Sequence, residues 1–238
     1  MATTLPAAGR TIGEIIRGAA ILERILKATG AIPQDHTQEA DCTKEGDATD
    51  CNKCKLQDGM VAPSIPRRSV MASNMINWDY QLYIANLHAS PAEQFTYCDK
   101  TTGVPLTNFD FAPGGRVWKL IQGQPQPVPE NLNLTEWLWN NYFWDGFWRE
   151  ECCVVEAKGR FSKHLDEDGL PKMKPPSSIM FPGMIRQAAS QVGYLAPALP
   201  QAKLQWHFME PEVFAWAQAN IPPPVTCVHT PYAPRILM

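Results

Sequence analysis

Hydrophobic and polar positions alternate with two different periods along this chain. From Ile12 to Leu26 apolar residues recur at helical spacing (Ile12, Ile15, Ile16, Ala19, Ala20, Leu22, Ile25, Leu26), with Glu14, Arg17, Glu23, Arg24 and Lys27 among them. This pattern predicts an amphipathic helix ending near Gly30. A second helix is predicted over Asn74 to Asn86, continuing toward Tyr97. Further on the pattern shortens. Tyr142 to Trp148 and Cys152 to Lys158 are aromatic and β-branched and read as two short strands, joined by the polar turn Arg149-Glu150-Glu151. A helix around Met184 to Ala196 follows, then a strand over Leu204 to Met209. The chain closes with a helix over Pro211 to Asn220, whose Pro stands at the first helical position, and a short strand over Val225 to His229.

Ionisable groups interrupt the most apolar part of this pattern. The run from Glu136 to Lys158 carries seven aromatic residues from Trp137 to Trp148, yet holds Asp145, Glu156 and Lys158. Charges in such surroundings cost on the order of several kcal/mol each unless paired or metal-bound. Pleat alternation puts Cys152, Val154, Glu156 and Lys158 on one face and Cys153, Val155 and Ala157 on the other. If the hairpin is centred between Glu150 and Glu151, Arg149 pairs with Cys152 and Asp145 falls opposite Glu156, with Cβ atoms about 5 Å apart. A three-residue loop would instead shift the register by one and turn Asp145 to the wrong face unless a bulge restored it. With Asp145 opposite Glu156, two carboxylates and the carbonyl of Ala157 suffice for Mg²⁺ or Mn²⁺, because Mg²⁺ takes one or two carboxylates plus waters and phosphate oxygens. Lys158 would orient an attacking water and offset transition-state charge.

The run Phe143-Trp144-Asp145-Gly146-Phe147, followed by Val154-Val155-Glu156-Ala157-Lys158-Gly159-Arg160-Phe161, resembles restriction-endonuclease-fold toxin family 5, a group of bacterial polymorphic-toxin nucleases in the PD-(D/E)xK superfamily. Asp79-Tyr80-Gln81-Leu82-Tyr83-Ile84 resembles the family's opening helix, and Arg186-Gln187 its later Gln-bearing helix. The resemblance spans Asn77 to Phe208. Trp144, Gly159 and Phe161 depart from the family's usual Phe, Ala and Tyr, and none of them is a charged position. The resemblance implies an α/β fold with a mixed sheet flanked by helices, of α+β type with a restriction-endonuclease-like core. It implies a metal-dependent nuclease, a DNase before an RNase, with Asp145, Glu156, Lys158 and Gln187 catalytic. It further implies delivery into competing bacteria, often by a type VI secretion system, and a cognate immunity protein in the producer. The rival accounts are an RNase of the same fold, a catalytically silent binding module, and an adaptor whose function lies in the cysteine-containing N-terminal sixty residues.

Composition modifies this picture in a few places. The chain has 238 residues, 45% of them hydrophobic, which suits one domain of ordinary size plus an extension. The expected division is an extension over 1–62 and a toxin domain over 63–238. The amphipathic stripe of the first helix would then pack on the nuclease domain, on a second copy, or on a secretion chaperone or a spike or tube component. Many of the 22 prolines cluster at 124–129, 171–182 and 222–224 and read as stiff surface connections. No apolar run reaches the length of a membrane span, and no cleavable signal peptide is evident. Taken alone this fits contractile or one-step export and equally a plain cytoplasmic protein; the resemblance implies a protein cytoplasmic in the producer, exported without a signal peptide and acting in the target-cell cytoplasm. A formal charge of −3 is not the basic footprint of a stable nucleic-acid binder. Locally, Lys158, Arg160, Lys163, His164, Lys172, Lys174 and Arg186 gather around the motif, beside the acidic Asp166-Glu167-Asp168. Asp79, Glu93 and Glu136 are further acids that could support a metal, and His164 lies near enough to the motif for an auxiliary role. Of seven cysteines, Cys51 and Cys54 have the spacing of half a zinc site, with Cys42 as a third ligand; a disulfide or free thiols are the competing states. Cys152 and Cys153 read as packing residues on opposite faces of a strand.

Overall fold

A computed structural model describes residues 53–65, 74–106 and 131–233, together with the backbone of short strands within 111–125 and at 235–236. The first amphipathic helix, Cys42 and Cys51 lie outside the described residues.

Two sheets and three helices make up the described core. In chain order the elements are β1 (Met60–Pro63), α1 (Met75–Asn86), β2 (Tyr97–Asp99), β3 (Leu132–Trp139), β4 (Tyr142–Trp144), β5 (Gly146–Trp148), β6 (Cys153–Lys158), α2 (Ser177–Leu195), β7 (Lys203–Phe208), α3 (Pro211–Asn220) and β8 (Val225–His229). One sheet is built on β3, which pairs antiparallel with β1, β2 and β4. The other has the order β8-β7-β6-β5, parallel across β6, β7 and β8 and antiparallel at β5. The arrangement is the expected mixed sheet with helices against it. Parallel strands need crossovers, and α2 and α3 supply them between β6 and β7 and between β7 and β8.

The expected strand from Tyr142 to Trp148 is broken at Asp145. Its first half pairs with β3 and its second half with β6, so the chain passes from one sheet to the other at this residue. Gly146 permits the transfer: a Cβ there would lie 2.6 Å from the Cα of Ala85, so α1 lies directly on the backbone of β5. The hairpin register is the expected one. Cys153 faces Trp148, Val154 faces Phe147 and Val155 faces Gly146, and the turn closes with the Cys152 N–H donating to the Arg149 carbonyl over 3.2 Å.

Other elements depart from the pattern. The first described helix stops at Asn86 rather than running toward Tyr97, because the Asn86 amide donates to the carbonyls of Leu82 and Phe95 and its oxygen accepts the Phe95 N–H. Helix α2 starts at Ser177, ahead of the expected Met184, and contains Pro182. Phe181, Met184, Ile185, Ala188 and Val192 are buried along it, and this packed face outweighs one missing N–H near the helix start. Strands β1, β2 and β3 carry no clean alternation; six successive residues of β3 are buried, which conceals the period of two. Cys54 is bonded to Cys152. This corrects the zinc account of Cys54, whose sulfur is taken, and Cys152 is a disulfide partner rather than a packing residue.

Residues 53–65 pack into the same core. Leu56 is buried, its carbonyl accepts the Trp137 indole N–H over 3.1 Å, and β1 lies along β3.

Candidate active site

The site forms where β4 gives way to β5. Continuing the β3–β4 register by one residue sets Asp145 opposite Glu136, and continuing the β5–β6 register by one sets it opposite Glu156. Asp145 therefore stands between two other acids, one on each neighbouring strand. Its Oδ2 accepts the Ala157 N–H over 2.7 Å. Strand β5 pairs with β6 only as far as Val155, so Asp145 satisfies a strand edge that β5 has left. In a strand the N–H and C=O of one residue point to the same edge, so the Ala157 carbonyl also faces the Asp145 side.

Glu156 and Lys158 share one face of β6, as the pleat predicts, and both are buried. Lys158 Nζ donates to Glu156 Oε1 over 2.6 Å and to Gln187 Oε1 over 2.8 Å. It also lies 4.4 Å from the centre of the Trp206 ring, a favourable place for a cation. Gln187 Nε2 donates to Glu156 Oε1 over 2.8 Å, and Gln191 Nε2 donates to Glu156 Oε2 over 2.6 Å. The Trp206 indole N–H closes the network on Gln191 Oε1 over 2.7 Å. One turn of α2 separates the two glutamines, so a single helix face presents both to β6.

Among the described residues, Glu136, Asp145, Glu156 and Lys158 are all buried here, three carboxyl groups beside one ammonium. Gln81 Nε2 donates to Glu136 Oε1 over 2.9 Å. Burial holds the Asp145 carboxyl well above the ordinary carboxylate range, and Glu156 and then Glu136 push it further, against the opposing pull of Lys158 and of the Ala157 N–H. Among the described residues no three or more His, Cys, Asp or Glu side chains are grouped closely enough to hold a metal unaided. The donors nevertheless fit a hard divalent cation that keeps waters or phosphate oxygens. Its charge would relieve the carboxylate excess, and Asp145, Glu156 and the Ala157 carbonyl supply oxygen only.

The structure thus brings together Asp145, Glu156, Ala157, Lys158 and Gln187, and adds Glu136 from β3. It leaves the other expected residues elsewhere. Asp79, on α1, accepts a hydrogen bond from the Tyr97 hydroxyl over 2.8 Å. Glu93 is paired with Arg149 at the opposite end of the β5–β6 hairpin. Arg160 is exposed, and its backbone N–H donates to Asn77 Oδ1 over 2.8 Å. His164 is half-buried, its Nδ1 is 3.2 Å from the Ser177 hydroxyl, and burial, then Lys163 and Lys172, lower its pKa. Gly159, which departs from the family pattern, is explained by α1, since a Cβ there would collide with the Asn77 side chain.

Gln191 and Trp206 escaped the sequence reading as site residues. The i, i+4 spacing of Gln187 and Gln191 was a usable signal for the first, whereas nothing local marks Trp206, which reaches the site only through parallel pairing of β7 with β6. Trp206 faces Glu156 in that ladder.

A comparison with curated proteins returns no match. Residues 119–211, which include β3 to β7, helix α2 and every member of the buried network, match the model of the restriction endonuclease fold toxin 5 family, and this segment has the restriction-endonuclease fold.

Proposed function

We propose that the protein is a metal-dependent nuclease toxin that hydrolyses phosphodiester bonds, with DNA as its substrate. The observation that carries this reading is the buried network of Asp145, Glu156, Lys158 and Gln187, seated in the segment that matches a toxin-nuclease family. Asp145, Glu156 and the Ala157 carbonyl would hold Mg²⁺ or Mn²⁺. When bound, the metal supplies a lowered pKa for water and polarises the phosphoryl oxygen. Lys158 keeps its ammonium fixed between Glu156 and Gln187, where it can orient a water and stabilise negative charge growing on the phosphate. Gln187 positions that ammonium through its carbonyl and Glu156 through its amide, so one side chain sets the geometry of both. Trp206 under Lys158 keeps bulk water from one side of the ammonium.

As a toxin it would enter competing bacteria, by a type VI secretion system, and a cognate immunity protein would protect the producer. With a slightly acidic chain, the immunity partner is expected to recognise apolar and mixed-charge surface rather than to act as a purely acidic decoy. The deciding experiment is incubation of the purified protein with plasmid and with total RNA, each with Mg²⁺ and with chelator. Metal-dependent loss of plasmid supports the proposal, loss of RNA alone transfers the activity to the RNase alternative, and no cleavage of either returns the chain to the binding-module account.

A further inference from the structure

Gln191 belongs to the buried network but has no part in the roles above, and the indole N–H of Trp206 has none either. Both residues are fully buried, and Gln191 sits on the face of α2 otherwise made of Phe181, Met184, Ile185, Ala188 and Val192. A carboxamide among such neighbours costs free energy unless its ends are hydrogen-bonded. Here both ends are: Gln191 Nε2 donates to Glu156 Oε2 over 2.6 Å, and Gln191 Oε1 accepts the Trp206 indole N–H over 2.7 Å. Trp206 stands across the β6–β7 ladder from Glu156, so the three side chains meet between two neighbouring strands and one helix.

The chemistry of the end groups fixes which way round the amide lies. An indole N–H can only donate, so the Gln191 atom that meets it is the carbonyl oxygen, and the amide nitrogen is left facing Glu156. A Gln191 released from the indole is free to reverse, and the reversed amide sets its oxygen against the carboxylate. Lys158 acts on Gln187 in the same way, since its ammonium too can only donate. The two glutamines differ in their surroundings. Gln187 is half-buried, whereas Gln191 and Trp206 are shut off from water, so the Gln191 end of Glu156 is the end held by the interior of the fold.

We propose that Gln191 and Trp206 are positioning residues of the nuclease site: the indole sets the direction of Gln191, and Gln191 holds the Glu156 carboxylate where it receives the metal. The assignment rests on the nuclease reading and deepens it. Neither side chain touches metal or substrate, and each acts through Glu156. A glutamate side chain is flexible, and bonds to both its oxygens from β6 and α2 remove that freedom before a cation arrives.

Two variants test this. Gln191→Met keeps the length of the side chain and removes both bonds, while Trp206→Phe keeps an aromatic ring beside Lys158 and removes the indole N–H. Calorimetric titration with Mg²⁺ at one fixed pH, well below each thermal midpoint, reads the hold on Glu156 and is blind to Lys158, whose ammonium is no ligand. Each variant should bind Mg²⁺ about ten- to a hundredfold more weakly than the native protein. Adding Trp206→Phe to Gln191→Met should weaken binding no further, because the indole reaches Glu156 through Gln191 alone. On an oligonucleotide of whichever nucleic acid the native protein cuts, kcat should fall and KM should not change, since neither side chain touches the nucleic acid. Native Mg²⁺ affinity in Gln191→Met, whatever its thermal midpoint, overturns the assignment. If that variant does not fold, Trp206→Phe carries the same titration, and native affinity there overturns the assignment equally. Additive losses in the double variant overturn the role of the indole. A native protein that binds neither Mg²⁺ nor Mn²⁺ and cuts no nucleic acid overturns the nuclease reading, and this assignment with it.

Discussion

At the scale of single residues the decisive feature is that, among the described residues, three acids and one lysine share one low-dielectric place. Asp145→Ala, Glu156→Ala and Lys158→Ala should each abolish cleavage. Titration with Mg²⁺ should show weaker binding for the two carboxylate variants and unchanged binding for Lys158→Ala, since an ammonium is no ligand. Gln187→Ala should retain activity reduced about ten- to a hundredfold, the effect of one orienting hydrogen bond worth roughly 1–3 kcal/mol. The state of Asp145 has a separate consequence for stability. Its folded-state pKa is raised well above the ordinary value of 3.8, so its contribution to stability is fully present below that value and is lost as pH rises through the folded pKa. Metal-free protein at neutral pH therefore holds a destabilising Asp145 carboxyl, and Asp145→Asn should raise the melting temperature in chelator. Added Mg²⁺ should then stabilise the native protein more than Asp145→Asn. Equal stabilisation of both in differential scanning calorimetry would show that Asp145 does not hold the metal.

At the scale of elements, the passage of the chain from one sheet to the other depends on the contact between α1 and β5. Gly146→Ala places a methyl group against the backbone of Ala85, 2.6 Å from its Cα, and against the Val155 side chain at 3.0 Å. Neither element can yield without disturbing β6, so the substitution should cost about 1–3 kcal/mol by urea denaturation and should lower activity as well, because Asp145 and Glu156 flank the displaced residue. Glycine 159 offers a milder case. Its neighbour is the end of a polar side chain, Asn77, so Gly159→Ala should be tolerated better in an Asn77→Ala background than alone.

For the whole molecule, the question is where the folded unit begins. Cys54, Leu56 and β1 tie residues 53–63 to the hairpin turn and to β3, through a disulfide, a buried side chain and a strand ladder. A protein lacking residues 1–52 keeps every one of these contacts and should retain its near-UV circular dichroism. One lacking residues 1–63 loses all three and should lose that signal. The disulfide alone closes a sequence separation of 98 residues and should contribute about 2–5 kcal/mol. Against a usual total of about 5–15 kcal/mol, its loss together with β1 is a large fraction. Mass spectrometry before and after reduction checks the bond directly. With Cys54 committed to it, a zinc equivalent held by Cys42, Cys51 and Cys54 is not expected.

Much of the site was legible in the order of residues because strand geometry is local. A period of two puts Glu156 and Lys158 on one face, a turn centred between Glu150 and Glu151 puts Asp145 opposite Glu156, and helical spacing lines up Gln187 with Gln191. Each follows from backbone dimensions over a few residues, and the same dimensions delimited α3 and β8 at the expected residues. Long-range pairing lay beyond that reach. Only packing decided that the strand from Tyr142 to Trp148 breaks at Asp145, that Glu136 flanks Asp145 from a second sheet, and that Trp206 underlies Lys158 through a parallel ladder. Only packing, too, joined Cys54 to Cys152. Trp206 is separated from Lys158 by a whole crossover helix and Cys54 from Cys152 by 98 residues, while Glu136 reaches Asp145 across the β3–β4 hairpin. Which of several apolar segments lies beside which depends on the joint burial of all of them, and no single segment carries that information.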